Sequence, residues 1–186
     1  MMLSRMVASA KADVTFIVDI PNPRLLPDSL WQTLSGLAIR GVKVRILTTV
    51  SSDNLEMIKR LRSFAEVKHL RSRLGLQILM TDRREVLLSS SALGETLGVN
   101  VWSDIKAHVY LIVQLVDEIW SEGLEVDPLI QKLEVSMDVR KALTRLREEL
   151  SKAGWVLEGP GVIRGSSGVS HSFDILIRNL KQPSQI

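Results

Sequence analysis

The sequence contains no cysteine, which excludes disulfides and metal sites built on thiolates. Aromatic residues make up only 4% of the chain, so successive rings that stack nucleic-acid bases are not expected. The three histidines, His69, His108 and His171, stand far apart and lack the close spacing of a zinc motif. These shortages predict a protein without a bound cofactor.

Long apolar runs are also absent. No stretch approaches the roughly 20 residues that a membrane-spanning helix requires, and residues 1–12 lack the long apolar centre of a secretion signal. We therefore expect a cytoplasmic protein with no membrane partner. What the chain does have is a 45% share of apolar residues in 186 positions, enough for one domain with a sizeable core.

Positive charge is concentrated in one part of the chain. Most of the surplus lies between Lys59 and Arg84, and a local patch is more informative than the net charge. A predicted helix at 55–64 carries several of these cations and could contact phosphate groups. A solvent-exposed helix face is the simpler interpretation of the same pattern, and we prefer it.

The first half of the chain alternates between β-branched runs and amphipathic runs, which favours parallel strands joined by helices. A short helix is predicted at the start, over 3–11. The predicted strands are 14–20, 42–48 and 67–70, and the helices between them are 30–40 and 55–64. Ser51, Ser52 or Asp53 is the expected cap of the second of these helices.

A hairpin follows these elements. The run Leu76–Thr81 and the run Glu85–Leu88 are separated by the turn residues 82–84, which is the pattern of two antiparallel strands. Three serines come directly after the second strand. The hairpin would add an antiparallel pair to an otherwise parallel sheet.

The second half is mainly helical. Asp104 is the expected cap of an amphipathic helix that runs to Trp120, and a longer helix, with a break considered at 136–138, is predicted from Asp127 to Ala153. The longer helix has an apolar stripe that could pack on the sheet or form a dimer seam. The stripe consists of Leu129, Leu133, Met137, Leu143, Leu146 and Leu150. Residues 155–186 predict small strands and turns.

Several segments together resemble a known family. The strand followed by IPNP, the runs RGVKVRIL and LGLQILMTDRREVLLSS, and a helix that ends in Trp120 resemble the effector domain of TrmB-type archaeal transcription regulators. That resemblance covers about residues 3–120. It implies an α/β fold with the mixed sheet of a phospholipase D and flanking helices. It also implies a homodimer, a small-molecule effector, and an indirect association with nucleic acid.

The resemblance also assigns a site. In phospholipase D-like domains one strand carries His-x-Lys-x4-Asp, and a Gly/Ser-rich turn follows the next strand. The same register here places Gly75 and Gln77 where the reactive His and Lys would stand, so the resemblance implies binding without catalysis. A sugar or a phosphate compound is the expected ligand. The predicted ligand-binding residues are Arg71, Arg73, Gln77, Asp82, Ser89, Ser90 and Ser91.

Two alternatives remain open for this site. Asp82 could be a plain turn residue that bonds nearby backbone groups, and the arginines could belong to a solvated basic face. A phosphodiesterase that uses other residues is a third possibility. We expect that the protein is not an enzyme.

The end of the chain carries a weaker likeness. The pattern from Gly154 to Asn179, with Asp174 near its end, is similar to the opening of PD-(D/E)xK nuclease-like domains. Asp174 is therefore a weak metal candidate, and the alternative function is a fragment of a restriction endonuclease-like protein. The expected organisation is an effector domain at 1–123, a helical connector at 124–154, and a small β-rich segment at 155–186.

Overall fold

The computed structural model describes residues 2–18, 28–72, 74–90 and 100–179. The chain forms two compact units, residues 1–133 and 134–186. The division lies within a long helix, α5 (Asp127–Lys152). The three-part organisation expected from the sequence stays a prediction.

The first unit is built on a seven-stranded mixed sheet. Strands β1 to β3 are parallel to one another, and each of the other neighbouring pairs is antiparallel. The strand order is β6-β5-β4-β1-β2-β3-β7. The elements are α1 (Met2–Ser9), β1 (Asp13–Ile17), α2 (Asp28–Ile39), β2 (Lys43–Thr48), α3 (Leu55–Arg62), β3 (Glu66–His69), β4 (Gln77–Thr81), β5 (Glu85–Ser89), β6 (Asn100–Ser103), α4 (Lys106–Glu122) and β7 (Leu124–Glu125). This confirms the predicted α/β class, with its mixed sheet and flanking helices.

One part of the core lies between the sheet and α4, and other buried apolar residues, among them Met6, Leu37 and Ile58, lie on α1, α2 and α3. The buried valines of α4 recur at i, i+4 and i+7, which aligns them on one face of the helix. They contact apolar side chains from β1, β2, β4 and β5. This cluster consists of Ile17, Leu47, Leu70, Ile78, Met80, Val86, Val109, Val113 and Val116. Truncating one of the larger members to alanine would cost about 2–5 kcal/mol, so the cluster fixes the sheet on which the site is built.

Two predicted helix caps are wrong. The residue that precedes α4 is Ile105, not Asp104, and no side chain caps that end. Helix α3 begins after Asn54, whose side chain accepts a hydrogen bond from the Ser51 amide and donates one to the Thr49 carbonyl. Asn54 is 1% exposed, so its amide group ties the preceding loop together instead of capping the helix.

The second unit contains the rest of α5 and four short strands. These are β8 (Trp155–Glu158), β9 (Gly161–Arg164), β10 (Ser170–Phe173) and β11 (Leu176–Asn179). They form two antiparallel pairs, β8 with β11 and β9 with β10. The break considered at 136–138 is absent because α5 is continuous there. It ends at Lys152, two residues before Gly154, whose φ of 79° suits glycine.

Among the described residues, we find no helix that combines the length and the apolar character needed to cross a membrane.

Candidate ligand site at the carboxyl edge of the sheet

Polar side chains lie along the edge where the parallel strands end. Thr48 on β2 pairs with His69 on β3. On the other side of β1, Gln77 on β4 pairs with Ser89 on β5, and Ser89 pairs with Asn100 on β6. Directly paired residues point to the same face of a sheet. We call these five residues the edge row.

Strand β1 joins the two halves of the edge row. Leu47 and Ile78 both pair with Ile17, the last residue of β1. Thr48 and Gln77 each lie one residue further towards the same edge. Because side chains alternate along a strand, both point to the face opposite Leu47 and Ile78, away from α4. The edge row therefore has two parts, Thr48 with His69 and Gln77 with Ser89 and Asn100, and the buried apolar side chain of Val18 lies between them.

The edge row lies where the strand order reverses. The chain passes outward from β1 to β2 and β3, then returns to the other side of β1 as β4. In open α/β sheets, ligands bind in the crevice outside the carboxyl ends of the strands at such a reversal. Gln77 begins β4 at this point.

His69 has a defined protonation state. The Val50 amide donates a hydrogen bond of 3.0 Å to Nδ1 of His69, so this nitrogen must be the acceptor. Burial lowers the pKa of His69 from its ordinary value of 6.5. The ring is therefore neutral at pH 7, and its proton is on Nε2. It can donate a hydrogen bond from Nε2 but has no lone pair there for nucleophilic attack.

Two threonines at the end of β2 have unusual surroundings. Thr48 is fully buried, and neither its hydroxyl nor the buried hydroxyl of Thr49 has a hydrogen-bond partner within the part of the chain that the structure describes. A buried polar group without a partner costs about 1–3 kcal/mol. The end of β2 thus holds two buried hydroxyls without a hydrogen-bond partner among the described residues.

Several of the predicted ligand-binding residues share this edge. Gln77 and Ser89 belong to the edge row, and Ser90 follows as an exposed residue. Arg71 is exposed on the loop after β3, two residues beyond the edge row. Arg73 and Ser91 lie outside the described residues.

Asp82 lies apart from the other predicted residues. It follows the far end of β4, about 16 Å of strand away from Gln77, and stands at the amino end of β1. Its carboxylate accepts hydrogen bonds from the amides of Lys11, Ala12 and Asp13 at 2.7–3.1 Å. Asp82 therefore holds the segment before β1 against the hairpin turn.

The charge of Asp82 is stabilised in this position. Burial would raise the pKa of Asp82, but the hydrogen bonds from Ala12, Asp13 and Lys11 and the nearby charge of Arg84 lower it below 3.8. The backbone agrees with this role, because Asp82 has a φ of 51°, a conformation that Asp tolerates better than most residues.

An open groove of about 880 Å³ lies beside the same turn. Arg83 and Tyr110 are on its walls, and Arg83 is held by a 2.7 Å ion pair with Asp117. None of the predicted ligand-binding residues that the structure describes lines this groove. It is at the amino end of β1, whereas the edge row is at the carboxyl end.

Several of the cations between Lys59 and Arg84 contact other side chains of the protein. Arg60 lies 4.7 Å above the ring of Trp31, a favourable cation–π distance. Other cations of the patch make ion pairs, namely Lys59 with Glu56, Arg62 with Asp127, and Arg83 with Asp117. These contacts agree with the preferred interpretation of an exposed helix face.

Asp174 is exposed in the turn between β10 and β11. Within the described ranges, no three His, Asp or Glu side chains are grouped closely enough to hold a metal ion. His171 is on β10 and packs at 6.5 Å from the ring of Phe173. Among the described residues, Asp174 therefore belongs to no such group of metal ligands.

Three members of the edge row were not predicted from the sequence, namely Thr48, His69 and Asn100. A usable signal was present for two of them, since Thr48 and His69 are the polar residues that end successive parallel strands. Asn100 carried no such signal, because β6 was not predicted.

Comparison with known proteins gives limited likenesses. No protein-family model matches the sequence, and no curated protein matches it. One similar solved structure is TrmBL2, an archaeal chromatin protein described with a novel mode of DNA binding, with a TM-score of 0.49, 22% identity, and coverage of 67% of this chain and 49% of TrmBL2. Another is the phosphatidylserine synthase of Haemophilus influenzae Rd KW20, with a TM-score of 0.48, 13% identity, and coverage of 77% and 43%. The chain therefore spans about half the length of TrmBL2 and less than half of the synthase.

Proposed function

We propose that the first unit is a catalytically silent, phospholipase D-like module that binds a hydroxyl-rich small molecule, a sugar or its phosphate. The observation that carries this proposal is the edge row at the reversal of strand order. Four of its hydrogen-bonding side chains are at least partly exposed there, His69 on one side of Val18 and Gln77, Ser89 and Asn100 on the other. They lie at the position where open sheets bind their ligands.

The positions that the reactive His and Lys of a phospholipase D would take hold neither a nucleophile nor a cation. Gly75 has no side chain, Gln77 is neutral, and the proton on Nε2 of His69 prevents nucleophilic attack. Covalent catalysis requires an activated nucleophile. This chemistry supports recognition without turnover.

The chemistry of the edge row also selects the ligand. Hydroxyl, amide and neutral imidazole groups donate and accept hydrogen bonds without carrying charge, which suits the hydroxyls of a sugar. Arg71, exposed two residues beyond His69, adds one guanidinium that can bind a phosphate in a bidentate manner.

The setting of this module is transcription regulation in a homodimer, as the family resemblance implies. Ligand binding would shift the arrangement of the dimer. Contact with DNA would be indirect, because the cations of α3 are engaged with Glu56, Trp31 and Asp127.

A thermal-unfolding screen tests the ligand site. The intact chain is heated with a panel of monosaccharides, disaccharides and their phosphates. A ligand at about 100 times its dissociation constant adds about 2.7 kcal/mol, which raises Tm by about 5–10 °C for a chain of this size. Gln77→Leu should abolish the shift, whereas Arg84→Gln, at the opposite edge, should keep it. A shift that survives in Gln77→Leu, or turnover of a sugar phosphodiester, would contradict the proposal.

A further inference from the structure

Helix α5 carries an exposed apolar line. Val135, Val139 and Leu146 are 64%, 53% and 43% exposed, and Ala142 between them is exposed as well. Their spacing of four, three and four residues places them on one side of the helix. Ile130 is the only buried residue on α5 among those described.

This line differs from the stripe predicted from the sequence. Five of the six predicted stripe residues are half-buried, whereas Leu146 is exposed. Leu146 therefore belongs with Val135, Val139 and Ala142 in a separate seam of heptad spacing. We call these four residues the α5 seam.

We propose that the α5 seam binds the same seam of a second copy of this chain, with the two helices antiparallel. In this arrangement Val135 faces Leu146 of the second copy, and Val139 faces its Ala142. The two-fold axis passes between residues 140 and 141. The pairing of the two seams specifies the surface and the orientation of the dimer proposed above. The inference rests on that dimer but does not depend on the ligand site.

Charge complementarity favours the antiparallel orientation. Lys132 and Glu149 occupy the next heptad positions beyond the seam, and the same axis places Lys132 opposite Glu149 of the second copy at both ends. Asp138 and Arg145 flank the seam on one side and also face each other across the axis. A parallel pair would instead place Lys132 against Lys132 and Glu149 against Glu149, which is unfavourable.

The seam is short. It spans about three helical turns, which buries less than the roughly 1,600 Å² of a standard interface. We therefore expect a dimer that dissociates on dilution and that is measured at high chain concentration.

Cysteine crosslinking tests the orientation, since the natural chain has no cysteine. Two full-length variants, Val135→Cys and Leu146→Cys, are oxidised separately and as a mixture. The mixture should give a disulfide-linked dimer, whereas neither variant alone should, because each cysteine lies about 16 Å along the axis from its own copy. In the matched control, Val162→Cys takes the place of Val135→Cys in the mixture with Leu146→Cys. Val162 is an exposed valine on β9, and this mixture should give no crosslink.

Charge exchange provides a second measurement. Lys132→Glu or Glu149→Lys should each raise the dimer dissociation constant about tenfold in sedimentation, and the double variant should restore it. Crosslinking of each single-cysteine variant with itself would show a parallel pair, and a monomer at all concentrations would show no pair; either result overturns the proposal. Gln77→Leu should leave the crosslink unchanged, which separates this test from the ligand test.

Discussion

The carboxylate of Asp82 and the amide of Ala12 lie 2.7 Å apart, although 70 residues separate them in the chain. The amides of Lys11 and Asp13 bond the same carboxylate. One side chain thus gathers three amide groups at the entry to the central strand, and its contribution to stability can be measured.

We expect Asp82→Ala to lower the free energy of unfolding by about 2–4 kcal/mol, because three amides lose a charged acceptor. Asp82→Asn keeps one acceptor oxygen and tolerates the positive φ, so its loss should be smaller. Urea denaturation of both variants measures the difference. Equal losses in the two variants would contradict a role for the charge.

The lowered pKa of Asp82 predicts a pH dependence. A carboxyl group whose pKa is lower in the folded state contributes stability that is present above the unfolded pKa, about 3.9, and is lost as the pH falls through the folded value. The free energy of unfolding should therefore fall more steeply below about pH 4 in the wild type than in Asp82→Asn. Parallel curves for the two proteins would be inconsistent with the hydrogen bonds to Asp82.

His69 predicts a second pH dependence of a different origin. Its pKa is lowered by burial, so the neutral form is favoured on folding and stability decreases as the pH falls below about 6.5. Nitrogen chemical shifts of the ring should show the proton on Nε2. His69→Gln keeps an acceptor for the Val50 amide and should flatten the pH dependence near pH 6. A proton on Nδ1 would contradict the argument for a silent site.

The nuclease-like and phosphodiesterase alternatives predict activity that we do not expect. Titration calorimetry with Mg²⁺ or Mn²⁺ should give the same result for the wild type and for Asp174→Asn. Neither protein should cut DNA. Hydrolysis of a model phosphodiester that is lost in Asp82→Ala, while the variant stays folded, would show an enzyme. Circular dichroism of the variant is the required control, because Asp82 also stabilises the fold.

Much of the fold follows from local patterns. The β4–β5 hairpin was predictable since its strands and its turn at 82–84 are adjacent in sequence. Helix α4 was predictable as well, because the spacing of Val109, Val113 and Val116 records the face that it buries. The order of β1 to β3 follows from their alternation with helices.

The remaining features depend on contacts between distant residues. The bonds between Asp82 and the amides before β1 join parts of the chain that no local pattern relates. The Val50 amide fixes the tautomer of His69, and this requires β2 and β3 to be neighbours. The hairpin pattern alone places Gln77 and Asp82 at opposite ends of β4, but which edge of the sheet each end reaches becomes evident only in the folded sheet.

The clasp formed by Asp82 sets a practical limit on trimming this protein for crystallisation or calorimetry. A version that starts at Asp13 would lack two of the three amide donors, those of Lys11 and Ala12. The Asp82 carboxylate would lose these hydrogen bonds, and the hairpin turn would be held less firmly. Any shortened version should therefore begin before Lys11.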